Sequence, residues 1–505
     1  MVKNFFKSNI FWTIVFFAVI AFGIFVKTVC IINPPSFFSD ECSLLLNIRE
    51  KTFWEMFLPL GYNQCCPPLF LILAKIIYSM KNGNEQILRI IPYFPSILSV
   101  FAFVYLSFLV LKNKVPVLFA TVVYIFSLPL LTYSWVFKHY SFDVLASILV
   151  LTFAVLLKNK SLTYGKIAVL SLLSVLSVMF SFTSAFIIFT SFLTLFFFKY
   201  FQAKSDENEV KILVKKCAVF VVPAGVLMSV YFLITCLPAI KSSALQSYWS
   251  GFSGGREIFC PVTVPDFKNI FVFFTGGDFT GAYFVNFLPM FLLFGFSLVY
   301  CFKKDKFLFS LLVMPFVLAF INAILRLYPF APERVSLYLS PILIILTAYG
   351  LKNFCLNAKT SFTSFLLLFC LFFNYKSMHI FFENFFKNKE QLRFSFTKEF
   401  VQKIYKSDYK KEDYILGDYA SYNCFDCYDT ENKINKTNVI YPENEMAKEL
   451  QALEKLPSGS VIFFYYSEKY HFWYASDLKN WVSKNCETKS SSTDRFATFV
   501  KCKKY

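Results

Sequence analysis

Two adjacent carboxylates, Asp40 and Glu41, follow directly on the first long apolar run of the chain, in the stretch PPSFFSDECSLLLNIREKTFWEMF from Pro34 to Phe57. Charge at a membrane–water boundary is costly to desolvate, so such a pair is a functional candidate by default. A structural role competes with it. Ser39 or Asp40 can cap the helix that follows, and one residue can do both. The other reactive side chains offer less. Cys424-x-x-Cys427, Cys486 and Cys502 are thiols that can pair in an oxidising compartment, and Cys486 with Cys502 is the expected bridge. Cys30, Cys217, Cys236, Cys301, Cys355 and Cys370 read as small apolar residues. With 3 histidines in the chain, a His-rich zinc site is not expected.

The elements that carry these residues are set by hydropathy. A chain of 505 residues that is 57% hydrophobic and only 16% charged is not a soluble globular protein. Its apolar stretches approach or exceed the ~20 residues that cross a bilayer core. Lipid leaves no partner for an unpaired backbone group, so these stretches must be helices. The first is too long, and its end at Cys30 to Asn33 too poor in small residues, for a cleavable signal. The net charge of +18 has a topological explanation. Lys112 and Lys114, Lys158 and Lys160, Lys303, Lys304 and Lys306, and Lys352 all stand at span ends. Placing those loops with Lys3 and Lys7 in the cytoplasm satisfies the positive-inside rule and removes nucleic acid from the expected partners.

The path that results has spans at residues 10–32, 87–111, 115–133, 141–157, 165–181, 184–198, 213–236, 284–302, 307–326, 335–350 and 361–381. The N-terminus is then inside and the C-terminus outside. Pro68 to Met80 is too short to cross and is expected to lie along the outer surface. The first outer loop, residues 33–86, thus holds two surface helices, Glu41 to Phe57 and Pro68 to Met80. Beyond residue 382 the composition turns polar. Strands are expected at Tyr414 to Gly417, Val439 to Tyr441, Val461 to Tyr466 and Ala497 to Cys502, with helices at Glu443 to Leu456 and Trp473 to Lys484. The fold class is a polytopic helical membrane domain (1–382) followed by an extracytoplasmic small α/β domain (383–505).

The order SDE, then PPLFLILAKIIY (Pro67 to Tyr78), then NEQILRIIPYFPSILSVFAFVYL (Asn84 to Leu106) resembles the membrane glycosyltransferases of the GT-C fold. The branch it looks most like is the bacterial relatives of protein O-mannosyltransferases and lipid A aminoarabinose transferases. Ser127 to Leu151 is similar to that family's second outer loop, and Tyr328 to Leu351 to its late outer loop. The resemblance implies transfer of a sugar from a polyprenyl-phosphate donor to a glycan, lipid or protein acceptor outside a bacterial cytoplasmic membrane. It implies Asp40 as the general base that takes the acceptor hydroxyl proton, with Glu41 beside it. Cations for the leaving phosphate are then sought in Lys138, His139 and Tyr140 of the second loop and Arg334 of the late one, with Arg326 behind it.

Lys138 stands where the family usually has arginine, which keeps charge but loses the bidentate fork. Val136 stands at its acidic position, so no metal or other cofactor is expected. Lys75 and Arg89 are further phosphate candidates, although an interfacial anchoring role is the first reading of each. Asp143 is expected to pair with Lys138, Glu333 with Arg334, and Asp278 lies in a Gly-rich loop suited to a lid. Two other classes compete: a lipid or sugar transporter, which should place its charges near mid-membrane, and a non-catalytic scaffold. Nothing in the sequence fixes the sugar.

Overall fold

The computed structural model describes residues 9–32, 36–80, 84–204, 206–251, 264–274, 284–332, 334–357, 397–417, 423–440, 446–466, 472–494 and 497–505. The chain divides into two compact units. One comprises residues 1–33 with 52–381. The other joins residues 34–51 to 382–505, so the helix bearing the acid pair, kept with the membrane part by the sequence reading, groups with the C-terminal chain.

The first unit is helical. Among the described residues seven helices are long and apolar enough to cross a membrane: Ile10–Val29, Glu85–Leu111, Tyr140–Leu157, Ser184–Ala203, Glu207–Ile240, Lys306–Ile324 and Arg334–Lys352. Each matches an expected span. Tyr164–Phe180 and Phe284–Lys304 are helices where spans were expected too. Residues 361–381 lie outside the described residues. One expectation fails: 115–133 is not one helix. Lys114–Ile125 stops at Phe126, Ser127 turns extended, and Leu128–Thr132 starts afresh with Pro129 in its first turn. Proline is favoured there because its missing N–H needs no partner at a helix start. The short helix is tolerated because Pro116 through Ile125 are all buried in protein.

Close packing in this unit relies on small residues. Gly350 N donates to Ser297 Oγ at 2.7 Å, and that hydroxyl donates to Thr347 O at 2.9 Å. A Cβ on Gly350 would sit 2.2 Å from Ser297 Oγ. This is the close approach of small residues that drives helix association in membranes. The basic loops gather at one end. Lys158 Nζ contacts Asp305 Oδ2 at 2.8 Å, and Lys352 feels both Lys112 and Asp305.

The second unit is built on a five-stranded sheet of order β2-β1-β3-β5-β4. Its strands are β1 (Tyr414–Leu416), β2 (Val439–Ile440), β3 (Val461–Tyr466), β4 (Cys486–Asp494) and β5 (Ala497–Lys504). β1 runs parallel to β2 and β3, and β5 antiparallel to β3 and β4. β3 reads as an unbroken apolar run because both its faces are covered. Phe463 and Tyr465 meet Phe400, Ile404 and Phe425, whereas Ile462 and Phe464 meet Leu453, Leu478 and Trp481. The sequence reading missed β4. Its CETKSSSTD lacks the apolar alternation of a half-buried strand, and it occupies a sheet edge, where charge and polar side chains discourage further pairing. Cys486 and Cys502 hydrogen-bond to each other across the β4–β5 hairpin, both as free thiols. The helix Thr397–Lys406 was also missed.

Candidate active site

In the second unit the acid pair opens the helix Ser39–Glu50. Neither Ser39 nor Asp40 is its N-cap, which is Phe38. Glu41, 1% exposed, reaches back so that its Oε2 accepts from Phe38 N at 3.3 Å. Glu41 therefore does the capping, and Asp40 in the same first turn is less buried. The helix dipole favours negative charge at this end. The expected helix to Phe57 is shorter: it ends at Glu50, and only Glu55–Phe57 forms a separate 3₁₀ turn.

In the first unit two of the candidate cations, Arg89 and Lys138, meet at the segment from Leu130 to Tyr140. Two buried cations clamp it. Lys27 Nζ donates to Leu130 O at 3.2 Å, and Arg89 Nη1 donates to Trp135 O at 3.0 Å while its guanidinium lies 5.1 Å from the Trp135 ring. Arg89 is fully buried and anchors the loop. Lys138, 5% exposed, donates from Nζ to Gln64 Oε1 at 2.5 Å. Gln64 is delivered by a turn in which Tyr62 and Asn63 both adopt left-handed backbone, φ 56° and 54°. Non-glycine residues adopt this conformation at a cost, and such strain concentrates at functional sites.

His139 completes the cluster. Its Nδ1 lies 3.5 Å from Cys66 Sγ and its Nε2 3.6 Å from Asp143 Oδ2. Burial, reinforced by the neighbouring Lys138 charge, lowers its pKa to about 3, so the ring is neutral. A neutral ring with Nε2–H towards Asp143 leaves Nδ1 to accept from the Cys66 thiol. Burial pushes the Cys65 thiol up to about 11, with Lys138 pulling the other way. Asp143, expected to pair with Lys138, instead accepts from Ser181 Oγ at 2.6 Å and faces His139. Tyr140 is buried edge-on to Tyr133, 5.3 Å between rings. Lys75 sits on Pro68–Met80, its Nζ 5.9 Å from the Phe53 ring centre. Arg334 opens the 3₁₀ segment Arg334–Leu339, and Arg326 takes left-handed backbone at φ 54°. Glu333 and Asp278 lie outside the described residues.

Sequence reasoning missed Gln64, Cys66, Ser181 and Lys27. The single hint was the polar run Gln64-Cys65-Cys66 just ahead of the PPL element. Among the described residues no group of three or more His, Cys, Asp or Glu could hold a metal ion. Beside the cluster lies a cavity of about 530 Å³. Phe142 and Phe180, stacked 5.2 Å apart, line it, and its lining follows the helix Tyr140–Leu157 down to Leu157.

These features define a polytopic helical membrane protein of the GT-C fold, with a sheet-containing C-terminal region. Among solved structures it is similar to ArnT from Cupriavidus metallidurans. The form bound to undecaprenyl phosphate aligns over 98% of this chain and 98% of that one at 12% identity, with a TM-score of 0.51. The apo form aligns over 97% of each at 12% identity, with a TM-score of 0.50. No protein-family model and no curated protein sequence matches the chain.

Proposed function

We propose that the chain is a glycosyltransferase of a bacterial cytoplasmic membrane that takes a hexose or pentose from a polyprenyl-phosphate donor. The observation that carries this reading is the pairing of a buried cation with an apolar cavity at one end of the helix Tyr140–Leu157. Lys138 suits a phosphate head, and the cavity running from Phe142 to Leu157 suits an isoprenoid tail. The shared fold with ArnT, which has been solved with undecaprenyl phosphate, agrees with that ligand class.

Asp40 is the general base. It takes the acceptor hydroxyl proton as that oxygen attacks the anomeric carbon from the face opposite the phosphate. The carbon–oxygen bond to phosphate breaks, the pair of electrons leaves with polyprenyl phosphate, and the sugar inverts. The leaving group is already an anion and needs charge stabilisation more than a proton, which is the part given to Lys138, with Arg334 as a further cation. The mechanism calls on no metal. The acceptor is a glycan, lipid or protein on the outer side of the membrane, where the C-terminal unit also lies.

The test is mass spectrometry of polyprenyl-phosphate sugars in membranes expressing the native chain or Asp40→Asn. One lipid-linked sugar is expected to be depleted by the native chain and to accumulate with the variant. Purified variant should turn over about 10²–10⁴-fold more slowly, the usual loss for a missing base. Identical lipid profiles across all donors supplied would remove the base assignment.

A further inference from the structure

The second unit contains a thiol group that the transfer reaction does not use. Cys42 lies one turn into the helix Ser39–Glu50, two residues beyond Asp40. Cys424 and Cys427 lie three residues apart on the short helix Cys424–Tyr428, so both point from one face. Cys42 hydrogen-bonds to both of them. Cys42 Sγ and Cys424 Sγ also converge on one acceptor, the Phe37 carbonyl, at 3.7 and 4.0 Å. All three sulfurs are buried, at 0%, 0% and 1% exposure.

The backbone around them is held on both sides. Phe37 N donates to Tyr428 Oη at 2.7 Å, Arg49 Nη1 donates to Cys427 O at 2.8 Å, and Asn423 Nδ2 donates to Ser43 Oγ at 2.9 Å. The two segments are thus in register before any covalent bond forms. The three thiols do not have the arrangement of a metal tripod. Three thiols with two mutual contacts to one member suit pairing and exchange.

We infer that Cys42 forms a disulfide with the Cys424–Cys427 pair, stapling the acid-bearing helix to the sheet of the second unit. One of the pair bonds to Cys42, and the other remains a thiol able to exchange with it. Forming the bond removes two hydrogens. The electrons and protons pass to a disulfide-bearing thiol oxidoreductase, whose own S–S bond is reduced to two thiols through a mixed disulfide. The staple fixes Asp40 and Glu41, two residues and one residue before Cys42, to a rigid support. This inference stands apart from the proposed sugar transfer, since it concerns the second unit alone.

The experiment is thiol mapping of the full chain, purified from bacterial membranes with N-ethylmaleimide present throughout and digested with chymotrypsin without reductant. Cleavage after Phe38 separates Cys42 from Cys30. The expected product is a peptide pair joining Cys42 to Cys424 or to Cys427, which cleavage after Phe425 separates, two hydrogens lighter than its parts and lost on dithiothreitol treatment. In Cys424→Ser the link should move to Cys427, and in Cys427→Ser to Cys424. Full maleimide labelling of Cys42 in the native chain overturns the inference, whether or not Cys424 and Cys427 are joined to each other. The native chain alone decides this, so a variant that fails to fold does not block the test.

Discussion

Lys138 and His139 are neighbours with different electrostatic roles: Lys138 offers a directed cation, and burial keeps His139 neutral. Lys138 donates to Gln64 Oε1 at 2.5 Å, which fixes where its charge points. An ammonium is a point charge, and arginine at the same place would bring a fork needing more room. Lys138→Gln should raise the KM for a polyprenyl-phosphate donor by about ten- to a hundredfold, equivalent to roughly 1.4–2.8 kcal/mol. An unchanged KM in vesicle assays would take Lys138 out of the donor site. His139 tests the site from the side of stability. Its folded pKa, about 3, lies below the ordinary 6.5, so the unfolded chain takes up the proton first. Stability is therefore full above about pH 6.5 and falls as pH drops towards 3, approaching roughly 1.4 kcal/mol per pH unit. Melting of the detergent-solubilised protein should show this slope, and His139→Gln should flatten it.

At the scale of elements, the stretch from Leu130 to Tyr140 is held at two carbonyls as well as through the Lys138 and His139 side chains. Lys27 and Arg89 come from two different helices and donate to Leu130 and Trp135 respectively. Arg89→Met would leave a buried carbonyl without its donor, a cost of about 1–3 kcal/mol. The expected outcome is faster hydrogen exchange across residues 133–139 together with lower turnover. Exchange unchanged from the native protein would mean that the loop is held by something else. These partners explain what was legible beforehand. Long apolar helices and the Val461–Tyr466 strand follow from local periodicity, and they were read nearly to the residue. The Lys138-His139-Tyr140 segment was found because it stands in an outer loop that resembles the second outer loop of the GT-C transferases. Its partners were not, since Gln64 and Cys66 meet it across more than 70 residues of chain and no spacing rule links them. The break after Ile125 was missed for a related reason. A helix wholly buried in protein need not have the length that lipid demands.

At the scale of the whole molecule, the helical unit separates its basic loops from its candidate donor site. The helix Tyr140–Leu157 starts at the His139 cluster and ends beside Lys158, which pairs with Asp305. Its 18 residues span about 27 Å, and the apolar cavity follows it from Phe142 to Leu157. A ligand that uses both the cation and the cavity must be long, apolar and charged at one end. Chain length of the donor is then a variable the protein reads. Ala146 lines the cavity one turn below Phe142. Ala146→Phe places a ring in open space, so its packing cost is small compared with overpacking a filled core. The substitution should raise the KM for a full-length polyprenyl-phosphate sugar while leaving that for an analogue of two or three isoprene units nearly unchanged. Steady-state kinetics with the two donors in the same vesicles makes the comparison. An equal effect on both would mean that the tail lies elsewhere and that the cavity is filled by ordinary membrane lipid. A loss confined to the long donor would tie the cavity, and with it the nearby Lys138, to the substrate.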